Sequence, residues 1–126
     1  MPNLREASTD AHRATVESSV ADIAAFLQDA LGQKLVAFMV GVDNPKTIGR
    51  WANEKSSAPQ NPEVERKLRD AYQIFRLLLA KESPHTVRAW FVGLNPQLDD
   101  EPPATAIREG RTRDTLVAAR AFLAGG

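Results

Sequence analysis

Cysteine is absent from this chain of 126 residues, and histidine occurs only at His12 and His85. Zinc sites and most nucleophilic active sites need thiolates and imidazoles in convergent sets, so these chemistries are largely excluded and we expect no metal and no cofactor. Long apolar runs are also missing, since stretches such as residues 35–42 fall far short of the ~20 residues that cross a bilayer. The N-terminus lacks the basic start and apolar run of a signal peptide. The composition therefore predicts a cytoplasmic protein with no membrane partner.

Groups that could support catalysis are few. Ser83 and His85 lie at a predicted helix start, where serine typically caps the helix and histidine usually faces solvent. The three consecutive carboxylates at residues 99–101 point in different directions unless a loop gathers them around a cation such as Mg²⁺. No glycine-rich phosphate loop is present. The sequence thus predicts no catalytic residues, and we expect a binding protein rather than an enzyme.

Charge is balanced over the whole chain, with 16 basic and 16 acidic side chains, but it is unevenly distributed. Residues 1–32 carry two basic and five acidic groups, whereas residues 33–69 carry seven basic and four acidic groups. The middle of the chain is therefore the basic part, and it is where an acidic partner such as DNA is expected to bind.

Apolar spacing predicts an all-α fold. The stripe that begins at Val20 and ends at Leu31 has the period of an amphipathic helix, with Ser19 as its N-cap and Gly32 as its stop. Further helices are expected over residues 33–40, 45–53, 62–81, 84–92 and 112–123, with a short helical turn after Pro102 and Pro103. In the last helix, Leu116, Val117, Ala119 and Leu123 are expected to face inward. No segment alternates with the period of a strand.

Three regions are expected along the chain. Residues 1–19 are polar and predict a mobile or partly helical arm, residues 20–60 a DNA-binding unit, and residues 61–126 a second helical domain. The second half of the 62–81 helix is apolar nearly all round, so it is expected at the centre of the molecule or at a subunit interface. Under the second alternative, dimerisation would use Phe75, Leu78 and Leu79.

The strongest local pattern is a helix-turn-helix over residues 33–53. It has a small residue in the first helix (Ala37), a glycine in the turn (Gly41) and apolar anchors in the second helix (Ile48 and Trp51). The side chains expected to contact DNA are Gln33, Lys46, Thr47, Arg50, Asn53 and Lys55. Arginine can pair with guanine, asparagine with adenine, and lysine with phosphate. A helical hairpin with a solvated cationic face is the alternative.

This pattern resembles the helix-turn-helix of Xre-type repressors, in which a glutamine also begins the first helix, here Gln33. The turn after Gly41 is about one residue longer than in that motif. The C-terminal part adds a second resemblance. The segments are residues 86–91 (TVRAWF), Asn95-Pro96, residues 102–104 (PPA), residues 108–110 (REG) and a final helix that ends in Gly125-Gly126. In this order they resemble the C-terminal domain of Xre/MbcA/ParS-type antitoxins, and residues 1–19 lie outside the resemblance.

The resemblance implies that the chain neutralises a RES-type toxin, an enzyme that degrades NAD, by blocking its cleft with the last helix or the tail. The residues expected at the toxin are Arg108, Arg111, Arg113, Arg120, Leu123, Gly125 and Gly126. It further implies a homodimer within a larger toxin-antitoxin assembly that represses its own operon through operator DNA. A stand-alone transcriptional regulator remains the alternative. A solvated last helix would also explain the arginines, and Trp90 is expected in the core rather than at the toxin.

Overall fold

The computed structural model describes residues 3–54 and 57–125. Within these ranges lie eight α-helices and one 3₁₀ turn (Pro96–Leu98), and no described residue belongs to a strand. The all-α prediction is therefore confirmed. The helices are α1 (Leu4–Glu17), α2 (Val20–Leu31), α3 (Gln33–Val40), α4 (Lys46–Asn53), α5 (Pro62–Leu78), α6 (Pro84–Val92), α7 (Pro103–Arg108) and α8 (Thr112–Leu123). None of these helices is both long and apolar enough to cross a membrane.

Local capping residues explain where the helices begin and end. The side chains of Ser19 and Ser83 accept hydrogen bonds from backbone amides in the first turns of α2 and α6, as the sequence predicts. Gly41 closes α3 in the left-handed conformation that glycine adopts without strain. The long helix α5 begins at Pro62 as expected but ends at Leu78, three residues before the expected Lys81, and a turn follows it.

Most of the N-terminal segment is a helix that packs on α5, so the predicted alternative of a mobile arm is wrong and the alternative of a partly helical segment is right. In α1 the side chains of Ala7, Ala11 and Thr15 recur every four residues and are buried, and α1 packs on α5. Arg69 on α5 donates hydrogen bonds to the backbone carbonyls of Thr15 (2.8 Å) and Ser18 (3.1 Å), which lie in the last turn of α1 and at its C-cap. Alanine and threonine give a weak apolar pattern, so the buried face of α1 depends on its fit to α5 rather than on large side chains.

The apolar half of α5 lies at the centre of the molecule. Phe75 and Leu78 are 1% and 0% exposed, and the Phe75 ring stacks on Phe91 with a centroid separation of 5.8 Å. A side chain already enclosed in this way has no surface left to bury against a second copy. The prediction that Phe75 and Leu78 form a dimer interface is therefore wrong, and the alternative of a central helix is right. Leu79, the third residue of that set, is half-buried and packs against the same core.

One hydrophobic core joins both sides of the expected boundary at residue 60. Helices α2 and α3 pack on α5, and α3 also packs on α7. The helix-turn-helix and the C-terminal helices therefore share their buried surface. The division into residues 20–60 and 61–126 separates two stretches of sequence rather than two independent cores.

Helix α8 differs from its predicted orientation at one position. Val117 is 52% exposed, although it is expected to face inward, while Thr115 and Ala118 are buried in its place. A helix turns by about 100° per residue, which puts Val117 opposite Thr115 and Ala119. Ala119 and Leu123 are buried as expected.

Candidate functional site

The helix-turn-helix is formed by α3, a turn and α4. The backbone amides of Gly41 and Val42 both donate to the carbonyl of Ala37 at 3.0 Å, which closes α3 tightly. After the turn, the side-chain oxygen of Asn44 accepts a hydrogen bond from the backbone amide of Lys46 at 3.0 Å and so caps the start of α4. The extra residue of the turn is thus accommodated before α4 begins.

Two apolar anchors hold α4 in place. Ile48 is 0% exposed and Trp51 is 4% exposed, and α4 packs mainly against α2. Because these anchors occupy the inner face, they determine which side chains of α4 point away from the protein.

The outer face of α4 carries the residues that the sequence predicts for DNA contact. Lys46, Arg50 and Asn53 are exposed, and Thr47 is half-buried. The Arg50 guanidinium donates to the hydroxyl of Thr47 at 3.0 Å, which directs the arginine along the helix surface. The remaining donors of that guanidinium are available to a partner. The structure therefore brings these four residues together on one exposed surface.

Gln33 lies at the edge of the same surface. Its side-chain amide donates to the side-chain oxygen of Gln28 at 3.0 Å. A Cβ placed on Gly49, in the middle of α4, would lie only 2.7 Å from Nε2 of Gln33. The glutamine side chain thus lies against the bare backbone of α4, and a side chain at position 49 would displace its amide. The sequence alone gives no sign of this contact between Gln33 and Gly49. Lys55, the remaining residue of the predicted set, lies outside the described residues.

Two of the arginines predicted for toxin binding have partners within the chain. Arg108 donates to the backbone carbonyl of Phe38 at 2.6 Å, and its guanidinium carbon lies 4.8 Å from the centroid of the Phe38 ring. Arg111 forms an ion pair with Glu101 (3.3 Å) and another with Asp114 (3.3 Å). These contacts give both arginines a role in holding α7, α8 and their neighbours together.

The carboxylates around Arg111 influence one another. Glu109 lies 3.6 Å and Asp99 4.0 Å from the same guanidinium. The pKa of Glu101 is raised, first by its hydrogen bond with Glu109 and then by the negative charge of that neighbour. The hydrogen bond with Asp114 raises the pKa of Arg111. No group of three or more histidine and acidic side chains in the described part of the chain is arranged to hold a metal ion.

Leu123 is buried, so the prediction that it projects into a toxin is wrong. It is 7% exposed, and its backbone carbonyl accepts a hydrogen bond from the Lys81 ammonium at 3.3 Å. Leu123 instead anchors the end of α8 to the core. Gly125 follows as an exposed residue, and Gly126 is not among the described residues. Trp90 is 9% exposed and contacts Phe91 and Phe122, as expected for a core side chain.

The outer face of α8 carries the other two predicted arginines. Arg113 and Arg120 are exposed and flank the exposed Val117 at positions i, i+4 and i+7 of one helix face. Neither arginine forms an ion pair with any residue that the structure describes. This outer α8 face, defined by Arg113, Val117 and Arg120, is separate from the surface of α4.

Fold and site together define an all-α protein with an exposed helix-turn-helix and a second exposed face on its last helix. Comparison with protein-family profiles, curated proteins and solved structures finds no match. The resemblance to Xre/MbcA/ParS-type antitoxins therefore stays a prediction.

Proposed function

We propose that this protein binds duplex DNA by placing α4 in the major groove. The observation that carries the proposal is the division of α4 into two faces: Ile48 and Trp51 are buried, while Lys46 and Arg50 are exposed. A recognition helix needs an anchored inner face and an outer face with donors that can reach base edges and phosphates. A protein that binds DNA acts inside the cell, and this role is compatible with the cytoplasmic location expected from the sequence.

Each exposed side chain of α4 has a role in this proposal. The Arg50 guanidinium, held by the Thr47 hydroxyl at 3.0 Å, pairs with the O6 and N7 atoms of a guanine. Asn53 contacts an adenine, and Lys46 contacts a phosphate at the start of the helix. Gln33 supports the surface from α3, because it packs against Gly49.

The experiment begins with selection of bound sequences from a randomised duplex library by the full-length protein. Binding of the selected duplex is then measured by fluorescence anisotropy. We expect Arg50→Ala to cost about 1–3 kcal/mol and to relax preference at one base position. Lys46→Ala should weaken binding to all sequences and reduce the salt slope by about one.

Arg113→Ala is the matched control, since it removes the same charge from an exposed site on α8. The helical hairpin with a solvated face predicts a different result. In that case no sequence is enriched, and Arg50→Ala and Arg113→Ala reduce affinity by the same small factor.

We also propose that the outer α8 face binds a partner protein, for which the resemblance indicates a RES-type toxin. An exposed valine between two arginines without ion pairs in the described chain favours this second function, because arginine is enriched at protein interfaces. In this proposal α8 docks on the toxin, and the tail at Gly125 and Gly126 obstructs its NAD cleft. The homodimer also remains a proposal, but its interface would have to lie outside the core of α5.

The antitoxin proposal is tested by an NAD-consumption assay with a RES-type toxin, should a neighbouring gene encode one. We expect the double variant Arg113→Glu and Arg120→Glu to lose inhibition, while Arg13→Glu on α1 inhibits like the wild type. Equal inhibition by the double variant and by Arg13→Glu would contradict docking through α8. If the wild-type protein neither binds nor inhibits such a toxin but binds DNA, the stand-alone regulator is the right alternative.

A further inference from the structure

A basic groove lies beside the helix-turn-helix, between the starts of α3 and α4 and the end of α6. Its volume is about 790 Å³. The residues that line it are Leu31, Gly32, Gln33, Lys34, Leu35, Asn44, Pro45, Lys46, Arg88 and Val92. Three of these are cationic and none is acidic. Every charged side chain that lines the groove is therefore positive.

The three cations come from three different helices. Lys34 lies on α3, Lys46 on α4 and Arg88 on α6, and all three are exposed. None of them forms an ion pair within the described residues. Like charges repel when they are brought together without a counter-ion, so this arrangement favours an anionic partner.

The start of α3 adds to the positive potential of the groove. Gly32 precedes α3 and has no side chain, so no side-chain cap covers the first backbone amides of the helix. Those amides carry the positive end of the helix dipole. They contribute alongside the three cationic side chains.

We propose that this groove holds phosphates of the DNA strand next to the recognition helix, and that Arg88 supplies one of the phosphate contacts. The proposal rests on the DNA binding proposed above. Lys46 belongs both to the outer face of α4 and to the groove, so a strand that passes Lys46 continues toward Lys34 and Arg88. Arg88 lies outside the helix-turn-helix, which makes α6 part of the DNA interface.

The lining of the groove favours a nucleic-acid backbone over a free nucleotide. It contains no aromatic ring on which a base could stack and no carboxylate that could hold a ribose hydroxyl. The backbone of Arg88 is also held in a fixed place, because its neighbours Val87 and Phe91 on α6 are buried in the core. A cation on a rigid helix suits a phosphate at a defined position.

The test is a salt titration of a fluorescein-labelled duplex of mixed sequence with the full-length protein. For Arg88→Ala we expect the slope of log affinity against log salt to become shallower by about 0.9. This is the change that follows from the loss of one phosphate contact. The advantage of wild type over the variant should then shrink about 3.5-fold between about 50 and about 200 mM salt. Arg88→Lys should restore the wild-type slope, because lysine also neutralises a phosphate.

The matched control is Arg13→Ala, which removes the same charge from the exposed face of α1, a helix that packs on α5. Its salt slope should equal that of the wild type. Circular dichroism of each variant checks the fold, which we expect to be unchanged because Arg88 is exposed.

Three results would overturn the inference, and they can be distinguished. If Lys46→Ala lowers the salt slope and Arg88→Ala does not, DNA binding stands and the role of Arg88 is wrong. If ADP binds the groove in an Arg88-dependent way and displaces no duplex, the groove is a nucleotide site. If the wild-type protein shows no salt-dependent duplex binding, the proposed function fails together with the inference.

Discussion

Replacing Gly41 with alanine tests the turn of the helix-turn-helix through its backbone conformation alone. Gly41 has φ 83° and ψ 31°, in the left-handed region, and a Cβ built there meets no heavy atom within 4 Å. Steric contact with the rest of the protein therefore contributes nothing to the expected loss. The cost is that of a left-handed residue with a Cβ, about 1–2 kcal/mol. In a domain of this size, about 1 kcal/mol lowers Tm by about 4 °C.

Urea denaturation, followed by far-UV circular dichroism and by the fluorescence of the two buried tryptophans, Trp51 and Trp90, measures this loss. Gly49→Ala is the matched control, since Gly49 lies inside α4 and the nearest atoms to its new Cβ belong to the ends of two long side chains, Gln33 and Gln28. Alanine is the better helix former by about 1 kcal/mol, so this variant should be at least as stable as the wild type. Equal midpoints for wild type and Gly41→Ala, or equal losses for the two variants, would refute the reasoning.

Three further predictions concern the interactions that join distant helices. Arg69→Met removes the hydrogen bonds to the carbonyls at the end of α1, so we expect a loss of about 1–2 kcal/mol and faster proteolysis within α1; an unchanged digestion pattern would contradict this. Burial raises the pKa of Asp70 above its ordinary value of 3.8, so the folded protein binds a proton at Asp70 more tightly than the unfolded chain does. The stability that this proton contributes is lost as pH rises through the raised pKa. Asp70→Asn should therefore gain stability relative to the wild type as pH rises from about 3 to 7, and parallel pH profiles of unfolding would refute the assignment. Arg111→Met leaves its surrounding carboxylates without a counter-charge, so Tm should fall at neutral pH and recover in part as acid protonates them. If the fall in Tm does not depend on pH, the carboxylates around Arg111 are not its cause.

Local signals explain why most helices could be predicted. Ser19, Ser83 and Gly41 act on amides and carbonyls within a few residues of themselves, so sequence spacing is sufficient to place these helix ends. The packing of α1 on α5 escaped prediction because the contact uses alanines, whose pattern is hard to distinguish from that of a polar arm. Burial of Phe75 likewise depends on which helices surround α5, and an apolar pattern is the same for a core helix and for an interface.

Some features of the candidate site could likewise be predicted from the sequence, and others could not. The outer face of α4 follows from the positions of Ile48 and Trp51, which fix the rotation of the helix. The partners of Arg108 could not be predicted, because Phe38 lies 70 positions away in the sequence. Arg88 likewise joins Lys34 and Lys46 only in the folded chain, since the groove is made from three separate helices.

Methylation interference on the selected duplex is the most direct test of the claim that α4 reads DNA. Methyl groups are placed on guanine N7, the major-groove atom that Arg50 is proposed to contact, and bound and free duplexes are compared. The account predicts that methylation of one guanine in each recognised site blocks the wild-type protein, whereas Arg50→Ala, which binds more weakly, is indifferent to it. If methylation of that guanine impairs both proteins equally, or neither, α4 does not read the major groove through Arg50.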